Sequence, residues 1–199
     1  LEQRFGWAAG SVLEAARLTI LLHDVGKLRH GWQRWAQAYQ KAIGHPMPAG
    51  FAAAHTLSQT EEQREIAKGI RPKRPHHALE SAIATVQLFK QRFPNCESLR
   101  RAAFTAIARH HTPFAKQVQH YHLVASHKAE IAETLRWLDQ SLDSKLLTTF
   151  DPARKIKGRT VAEVIEEDFL IRLDQSADVL SYMLLVRALR FSDQAGTRE

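Results

Sequence analysis

Side chains that could bind a metal ion occur at three separate places along the chain. His23 is followed by Asp24, His110 is followed by His111, and Asp193 lies near the end of the sequence. Imidazole and carboxylate groups together are the donor set that borderline divalent transition metals favour, and one carboxylate can bridge two ions. Magnesium is a poorer candidate because it prefers oxygen ligands and keeps its waters. If the fold brings these residues together, they form a metal centre.

Helical phase predicts that these side chains point inward. His23 continues the apolar stripe of the segment before it, and His110 continues the stripe of another helix. Asp193 extends by one turn the stripe of Val179, Met183, Val186 and Arg190. Each of these residues also has a purely structural interpretation. His23 could be a histidine of the core, and the His110-His111 pair could supply positive charge that is favourable at a helix C-terminus. Asp193 could be a surface residue at a helix end.

The elements that would position these residues are all predicted to be helices. Apolar residues recur at helical spacing, and no run of alternating β-branched residues predicts a strand. We therefore predict an all-α fold, a single-domain helical bundle with long irregular loops. The expected helices cover about 11–26, 32–43, 61–68, 79–93, 98–112, 115–142, 161–173 and 176–191, with Ser11 and Ser98 as N-caps and Pro94 as a stop.

Composition sets the broad class. The chain of 199 residues is long enough for one domain with a substantial core, and no apolar run approaches a membrane span. A single cysteine and the lack of a signal-peptide pattern favour a reducing, cytoplasmic setting. The first residue is Leu1 rather than methionine, so we expect residues 1–199 to be one domain of a longer protein.

The net charge of +7 favours a polyanionic partner such as nucleic acid. Two basic stretches are candidate contacts for a strand, one with Lys73 and Arg74 and the other with Lys155 and Lys157. A solvated surface is the alternative explanation for such charge runs. Trp32 and Trp35 could stack on bases, although their helical spacing favours the core.

Four strings, in this order along the chain, resemble the motifs of HD-superfamily phosphohydrolases. They are His23-Asp24-Val25-Gly26-Lys27, His77-Ala78-Leu79-Glu80-Ser81-Ala82, His110-His111 and Arg190-Phe191-Ser192-Asp193. Together with a helix that carries Trp32-Gln33, they are most similar to the HD nuclease domain of the CRISPR-associated helicase-nuclease of type I systems. The similarity spans roughly residues 20–195.

The resemblance implies a site for one or two divalent ions. Asp24 would bridge them, and the remaining ligands would be His23 and Asp193 at the first position and His77, His110 and His111 at the second. Lys27 would lie near the scissile phosphate. Members of the family usually carry a further histidine before the His-Asp pair, and residues 1–22 contain none. Either that ligand belongs to an N-terminal segment outside residues 1–199, or another group substitutes for it, and the occupancy of the first position depends on which holds.

One ligand assignment has two candidates. The motif spacing to Ser81-Ala82 selects His77, whereas the helical phase of Leu79 and Ile83 would bring His76 nearer to the buried side. We take His77 as the ligand.

The resemblance also implies a function. The chain would be a metal-dependent nuclease that cleaves single-stranded DNA in CRISPR antiviral defence, beside an ATP-dependent helicase domain and an RNA-guided surveillance complex. Nitrogen-rich ligands favour manganese, nickel, cobalt or iron. One alternative is an HD enzyme that hydrolyses a nucleotide or cyclic dinucleotide, which would need an enclosed pocket. The other is a degenerate HD module that only binds nucleic acid or a partner.

Overall fold

A computed structural model describes residues 1–46, 60–111, 128–142, 147 and 157–196. Every regular element in these ranges is helical, which confirms the predicted all-α fold. The α-helices are α1 (Glu2–Phe5), α2 (Ser11–Leu22), α3 (His30–Ala42), α4 (Glu61–Ile70), α5 (Ala78–Arg92), α6 (Glu97–Ala108), α7 (Lys128–Leu138), α8 (Val161–Val164) and α9 (Ser176–Gly196). Short 3-10 turns cover Val25–Leu28 and Arg71–Lys73, and a π-helical turn covers Ile165–Phe169. No helix in this part of the chain is long and apolar enough to cross a bilayer.

Helix α6 lies at the centre of the bundle because its sequence is small or apolar on almost every side. Nine of its 12 residues are buried. It packs against α2, α5 and α9. Alanines at 102, 103 and 106 let these neighbours approach closely, and larger residues such as Leu18, Ile83, Ile107 and Leu185 fill the space between the helices.

A second apolar cluster joins α3 to α4. Trp32, Trp35 and Tyr39 are 1%, 7% and 0% exposed, so one face of α3 is buried along its length. The indole nitrogen of Trp35 donates to the carbonyl oxygen of Ile70 at 3.1 Å. The core interpretation of both tryptophans is confirmed, and neither presents a ring surface on which a base could stack.

Several predicted helix ends are wrong. The helix that begins at Ser11 ends at Leu22, and Gly10 rather than Ser11 stands at its N-cap. The chain then tightens into the 3-10 turn of Val25–Leu28, which allows Gly26 to approach α5 closely. Helix α6 starts one residue earlier than predicted, with Cys96 at the N-cap, so Ser98 lies inside the first turn. Pro94 does lie just beyond the end of α5, as predicted.

The C-terminal part of the chain differs more from the prediction. In place of one helix over 161–173, α8 ends at Val164 and the π-helical turn follows. On α9, Met183 is 59% exposed and Arg190 is also exposed, whereas Leu185 and Leu189 are buried. The helix offers two adjacent apolar stripes, and packing against α6 and α2 buries the one through Leu185. Of the helix predicted over 115–142, residues 115–127 lie outside the described ranges, and α7 covers most of the rest.

Candidate metal centre

The turn after α2 lies directly against the first turn of α5. The Gly26 amide donates to Ser81 Oγ at 2.8 Å, and that hydroxyl donates to the His77 carbonyl at 2.9 Å. A Cβ atom at position 26 would lie only 2.4 Å from the same carbonyl oxygen. Glycine is therefore required at this position, and the close approach brings Asp24 next to His77.

Asp24 and three imidazoles form a tight cluster. Nε2 of His77 lies 2.9 Å from Asp24 Oδ1, and Nε2 of His110 lies 3.7 Å from the same oxygen. Nε2 of His111 is 3.1 Å from Nε2 of His77. One donor atom from each of these four residues lies within 4.8 Å of all the others. Donors that bind one ion at about 2 Å are themselves about 3–4 Å apart, so the spacing suits a single ion.

The other oxygen of Asp24 faces a different group of residues. Oδ2 is 2.5 Å from Lys27 Nζ and 3.4 Å from His23 Nε2. His23 Nε2 in turn lies 3.7 Å from Asp193 Oδ1. The carboxylate of Asp24 thus lies between two groups of side chains. Its Oδ1 faces His77 and His110, and its Oδ2 faces Lys27 and His23.

Helix ends orient two of the imidazoles in the same way. Nδ1 of His23 is 2.7 Å from the Ile20 carbonyl oxygen, and Nδ1 of His110 is 2.6 Å from the Ile107 carbonyl oxygen. Both carbonyls belong to the last turn of a helix, where no backbone N–H group of a following turn is present to pair with them. Since a carbonyl oxygen only accepts, each Nδ1 carries the proton, and the neutral ring has its lone pair on Nε2. Both Nε2 atoms point toward the Asp24 carboxylate.

Three polar atoms at the centre of this arrangement are buried and have no hydrogen-bond partner among the described residues. They are Nε2 of His23, Oδ1 of Asp24 and Nε2 of His110. The 2.9 Å approach of His77 to Asp24 Oδ1 does not have hydrogen-bond geometry. Unpaired buried polar atoms are costly. A divalent cation beside Oδ1 would satisfy that oxygen and His110, and a second one on the Oδ2 side would satisfy His23. The residues present therefore fit a transition-metal ion, and the donor set is rich in nitrogen.

The electrostatic environment suits metal ligation. Burial acts to raise the pKa of Asp24, but its contacts with His110 and His77 and the nearby charges of His23 and Lys27 outweigh burial and hold that pKa well below its usual range. Burial lowers the pKa of His77 despite the opposing effect of Asp24. Burial, followed by the charges of His110 and His77, lowers the pKa of His111 to about 3. At neutral pH, His77 and His111 are thus uncharged, which is the form that binds metals.

His76 and His77 occupy different surroundings. His77 is 2% exposed, whereas His76 is exposed at the surface. The ring of His77 contacts those of His110 and His111, with centroid separations of 5.5 and 4.9 Å. The turn into α5 thus brings His77, and not His76, into the cluster.

Sequence reasoning did not find a buried ion pair beside the cluster. Nη1 of Arg29 donates to Glu80 Oε1 at 2.9 Å, and the two side chains are 17% and 4% exposed. Burial raises the pKa of Glu80, and Arg29 opposes this effect. The only signal in the sequence is that Glu80 follows Leu79 and precedes Ile83 in the buried phase of α5. The pair ties the residue after the Val25–Leu28 turn to the first turn of α5.

The three predicted nucleic-acid contacts that the structure describes do not lie together. Lys73 and Arg74 are exposed just before His77, and Arg74 is close enough to His111 for its charge to lower that pKa further. Lys157 lines a cavity beside the far half of α5. Lys155 lies outside the described residues. Of this set, the Lys73-Arg74 turn is the part that borders the cluster.

The chain matches the family model described as "Cas3, HD domain" over residues 1–181. No curated protein and no solved structure matches it. His23, Asp24, Lys27, His77, His110 and His111 fall within the matched range, whereas Asp193 lies beyond it and depends on its geometry alone. The family is one of HD-type, metal-dependent hydrolases of CRISPR systems, where it is associated with a helicase. With nine-tenths of its length matched, this chain belongs to the Cas3 HD domain family.

Proposed function

We propose that this chain is a metal-dependent nuclease that cleaves single-stranded DNA in CRISPR antiviral defence. The observation that supports it best is the convergence of three imidazole nitrogens and one carboxylate oxygen of Asp24 within 4.8 Å of one another in a chain of this family. We further propose that residues 1–199 act as one domain of a cytoplasmic protein with an ATP-dependent helicase domain, and that this protein works with an RNA-guided surveillance complex.

The two sides of Asp24 would bind ions with different strength. Asp24, His77, His110 and His111 would hold one ion. His23, Asp24 and Asp193 would hold a second, but the Lys27 ammonium already contacts the oxygen of Asp24 on that side. Residues 1–22 contain no histidine that could add a donor on that side. We therefore propose one tight and one weak position for manganese, nickel, cobalt or iron, with magnesium a poorer fit.

The residues of the chain contribute orientation and charge. When bound, such ions lower the pKa of a water molecule and neutralise charge on phosphoryl oxygens. The carbonyls of Ile20 and Ile107 hold the rings of His23 and His110, and the packing of Gly26 holds Asp24 against His77. Lys27 supplies a compact positive charge. Its ammonium group, which contacts Asp24, could contact a non-bridging oxygen of the substrate instead.

The openness of the site favours a polymer over a small enclosed substrate. The side chains of Asp24 and Asp193 are 29% and 41% exposed, and His111 is exposed at the edge of the cluster. A nucleotide hydrolase would instead surround its substrate in a pocket. Lys73 and Arg74 place positive charge on the side of His77 and His111, where the phosphates of a strand could bind.

Metal analysis combined with cleavage of circular single-stranded DNA tests this proposal. Wild type should retain a transition metal and cut the circle in manganese. Asp24→Asn should lose both properties while its helical circular dichroism stays unchanged. Asp174→Asn, which changes an exposed carboxylate in the same way, is the matched control. A metal-loaded protein that hydrolyses a cyclic dinucleotide but leaves the circle intact would support the small-substrate alternative, and a protein without metal would support the degenerate one.

A further inference from the structure

A second potential binding site lies away from the metal cluster. A cavity of about 510 Å³ opens between α5, α6 and the segment 157–169. That volume is within the range of small-molecule sites. None of the candidate metal ligands lines the cavity. Its nearest lining residue on α5, Ala82, is five residues from His77, a rise of about 8 Å, and Lys90 is thirteen residues away, a rise of about 20 Å.

The walls of this cavity combine aromatic rings with positive charge. The rings of Phe104 and Phe169 lie 5.3 Å apart at a tilt of 34°. Nζ of Lys90 is 5.4 Å from the centre of the Phe169 ring. Phe89 and Lys157 also line the space. Sites that bind nucleotides combine these two features, because an aromatic ring stacks on the face of a base and a cation pairs with the phosphate.

The positive charge of the cavity is only partly neutralised by its own residues. Its two carboxylates already pair with arginines, Glu97 with Arg101 at 2.9 Å and Asp168 with Arg159 at 2.7 Å. Neither Lys90 nor Lys157 forms an ion pair with another described residue. As far as the described residues go, two ammonium groups therefore remain for an anion.

The segment that forms one wall has an unusual backbone. Lys157 has a φ of 50° and precedes Gly158 at 80°, and positive φ is uncommon for residues other than glycine. The π-helical turn of Ile165–Phe169 carries Phe169 into the cavity wall. Such turns are rare and recur at functional sites, and residues in strained conformations also cluster there.

We propose that this cavity binds a nucleoside phosphate, either free or as one unit of a single strand. The base lies against Phe169, and the phosphate lies between Lys90 and Lys157. The site needs no metal ion, so the inference does not rest on the proposed nuclease activity.

Calorimetric titration of the metal-free 199-residue chain in a chelator tests the proposal, with thymidine monophosphate and with oligothymidylate as separate ligands. Lys90→Gln combined with Lys157→Gln should raise the Kd for the ligand that binds by about tenfold or more, since each lost contact involves a charged group. The control, Lys41→Gln combined with Arg187→Gln, removes the same charge from exposed sites on α3 and α9 and should leave the Kd within about twofold.

A second variant tests the cavity without changing charge. Val86 lines the space, and Val86→Trp should fill it and abolish binding while circular dichroism shows an intact fold. If that variant unfolds, the lysine pair decides the question. Binding of the mononucleotide would support the site with a free ligand, and binding of the oligonucleotide alone would support it with a strand. Wild type that binds neither ligand, or lysine variants that match their control, would overturn the inference. Retained binding without metal-dependent cleavage would count against the proposed nuclease and not against this site.

Discussion

At the scale of single residues, the candidate site depends on how closely two backbone segments approach. A Cβ atom on residue 26 would lie 2.4 Å from the His77 carbonyl oxygen, and the atom it would meet is backbone rather than a movable side chain. The position of Asp24 relative to His77 is therefore fixed by the absence of a side chain. This close packing brings the carboxylate of Asp24 against His77.

Gly26→Ala should therefore damage stability and metal binding together. The added methyl group forces the turn away from α5, and overpacking of this kind costs about 1–3 kcal/mol in the free energy of unfolding. Urea unfolding and metal titration provide the two readouts. Gly69→Ala is the control, because nothing lies within 4 Å of a Cβ there, and it should be neutral or stabilising by up to about 1 kcal/mol. Equal effects of the two changes would refute the packing argument.

Lys27→Met should separate metal binding from catalysis. Removal of the ammonium from Asp24 Oδ2 should tighten the second ion, because that oxygen loses a competing cation. Cleavage should nevertheless fall, since the charge beside the phosphate is gone. Calorimetric stoichiometry and the rate on single-stranded DNA are measured in parallel, with Lys41→Met as the control. A weaker second ion in Lys27→Met would mean that the lysine supports metal binding instead.

At the scale of elements, the site is held together by the contact between the turn after α2 and the start of α5. The hydrogen bond from Gly26 to Ser81 and the ion pair of Arg29 with Glu80 both cross this contact. Glu80 is 4% exposed in its side chain, so it depends on Arg29 for compensation.

Arg29→Met should destabilise the protein by about 3 kcal/mol, because it leaves a buried carboxylate without a partner. Without Arg29, the pKa of Glu80 rises further above its ordinary value of 4.5. A raised pKa in the folded state gives stability that is complete below the unfolded pKa and is lost as pH rises through the folded one. The deficit relative to wild type should thus be smaller near about pH 5 than near about pH 8. Chemical unfolding at both pH values provides the measurement.

The matched control for this prediction is Arg29→Met combined with Glu80→Met. An apolar pair should recover much of the loss and remove its pH dependence. A deficit that is the same at both pH values would show that Arg29 acts through packing alone.

Helical phase in the sequence was enough to predict most of the longer helices and the inward direction of His23 and His110. It did not predict the short turns between them. It was not enough where two stripes compete, as on α9, because the choice between Met183 and Leu185 depends on how α6 and α2 pack. The Arg29–Glu80 pair could not be predicted for a similar reason. Its partners are far apart in sequence. Glu80 stands inside the string His77–Ala82, but at a variable position of that motif, and Arg29 belongs to none of the four strings. The motif spacing selected His77 over His76, and helical phase alone would have misled, since the chain enters α5 through a turn.

At the scale of the whole molecule, positive charge is placed at two distant regions. Lys73 and Arg74 border the metal cluster, whereas Lys90 and Lys157 line the cavity beside the far half of α5. The net charge of +7 therefore says less about substrate binding than the position of each group does.

Lys73→Ala combined with Arg74→Ala should weaken cleavage of single-stranded DNA and flatten its salt dependence. Each lost phosphate contact reduces the slope of log K against log salt by about 0.7. Hydrolysis of a small chromogenic phosphodiester should be almost unchanged, because that substrate needs only the metal site. Equal losses on both substrates would show that the turn supports His77 and not the strand.

The rings of His23 and His110 are each held by a carbonyl at the end of a helix, so metal retention depends on whether those helix ends stay formed. Local opening of the last turn of α2 or α6 would free a carbonyl that holds a ring in place, and local opening costs less free energy than unfolding of the whole bundle. The centre should therefore respond to heat before the bundle does. On slow warming, metal would dissociate across a temperature interval in which most helical signal persists, so that the protein loses its catalytic ion while its fold is still nearly complete.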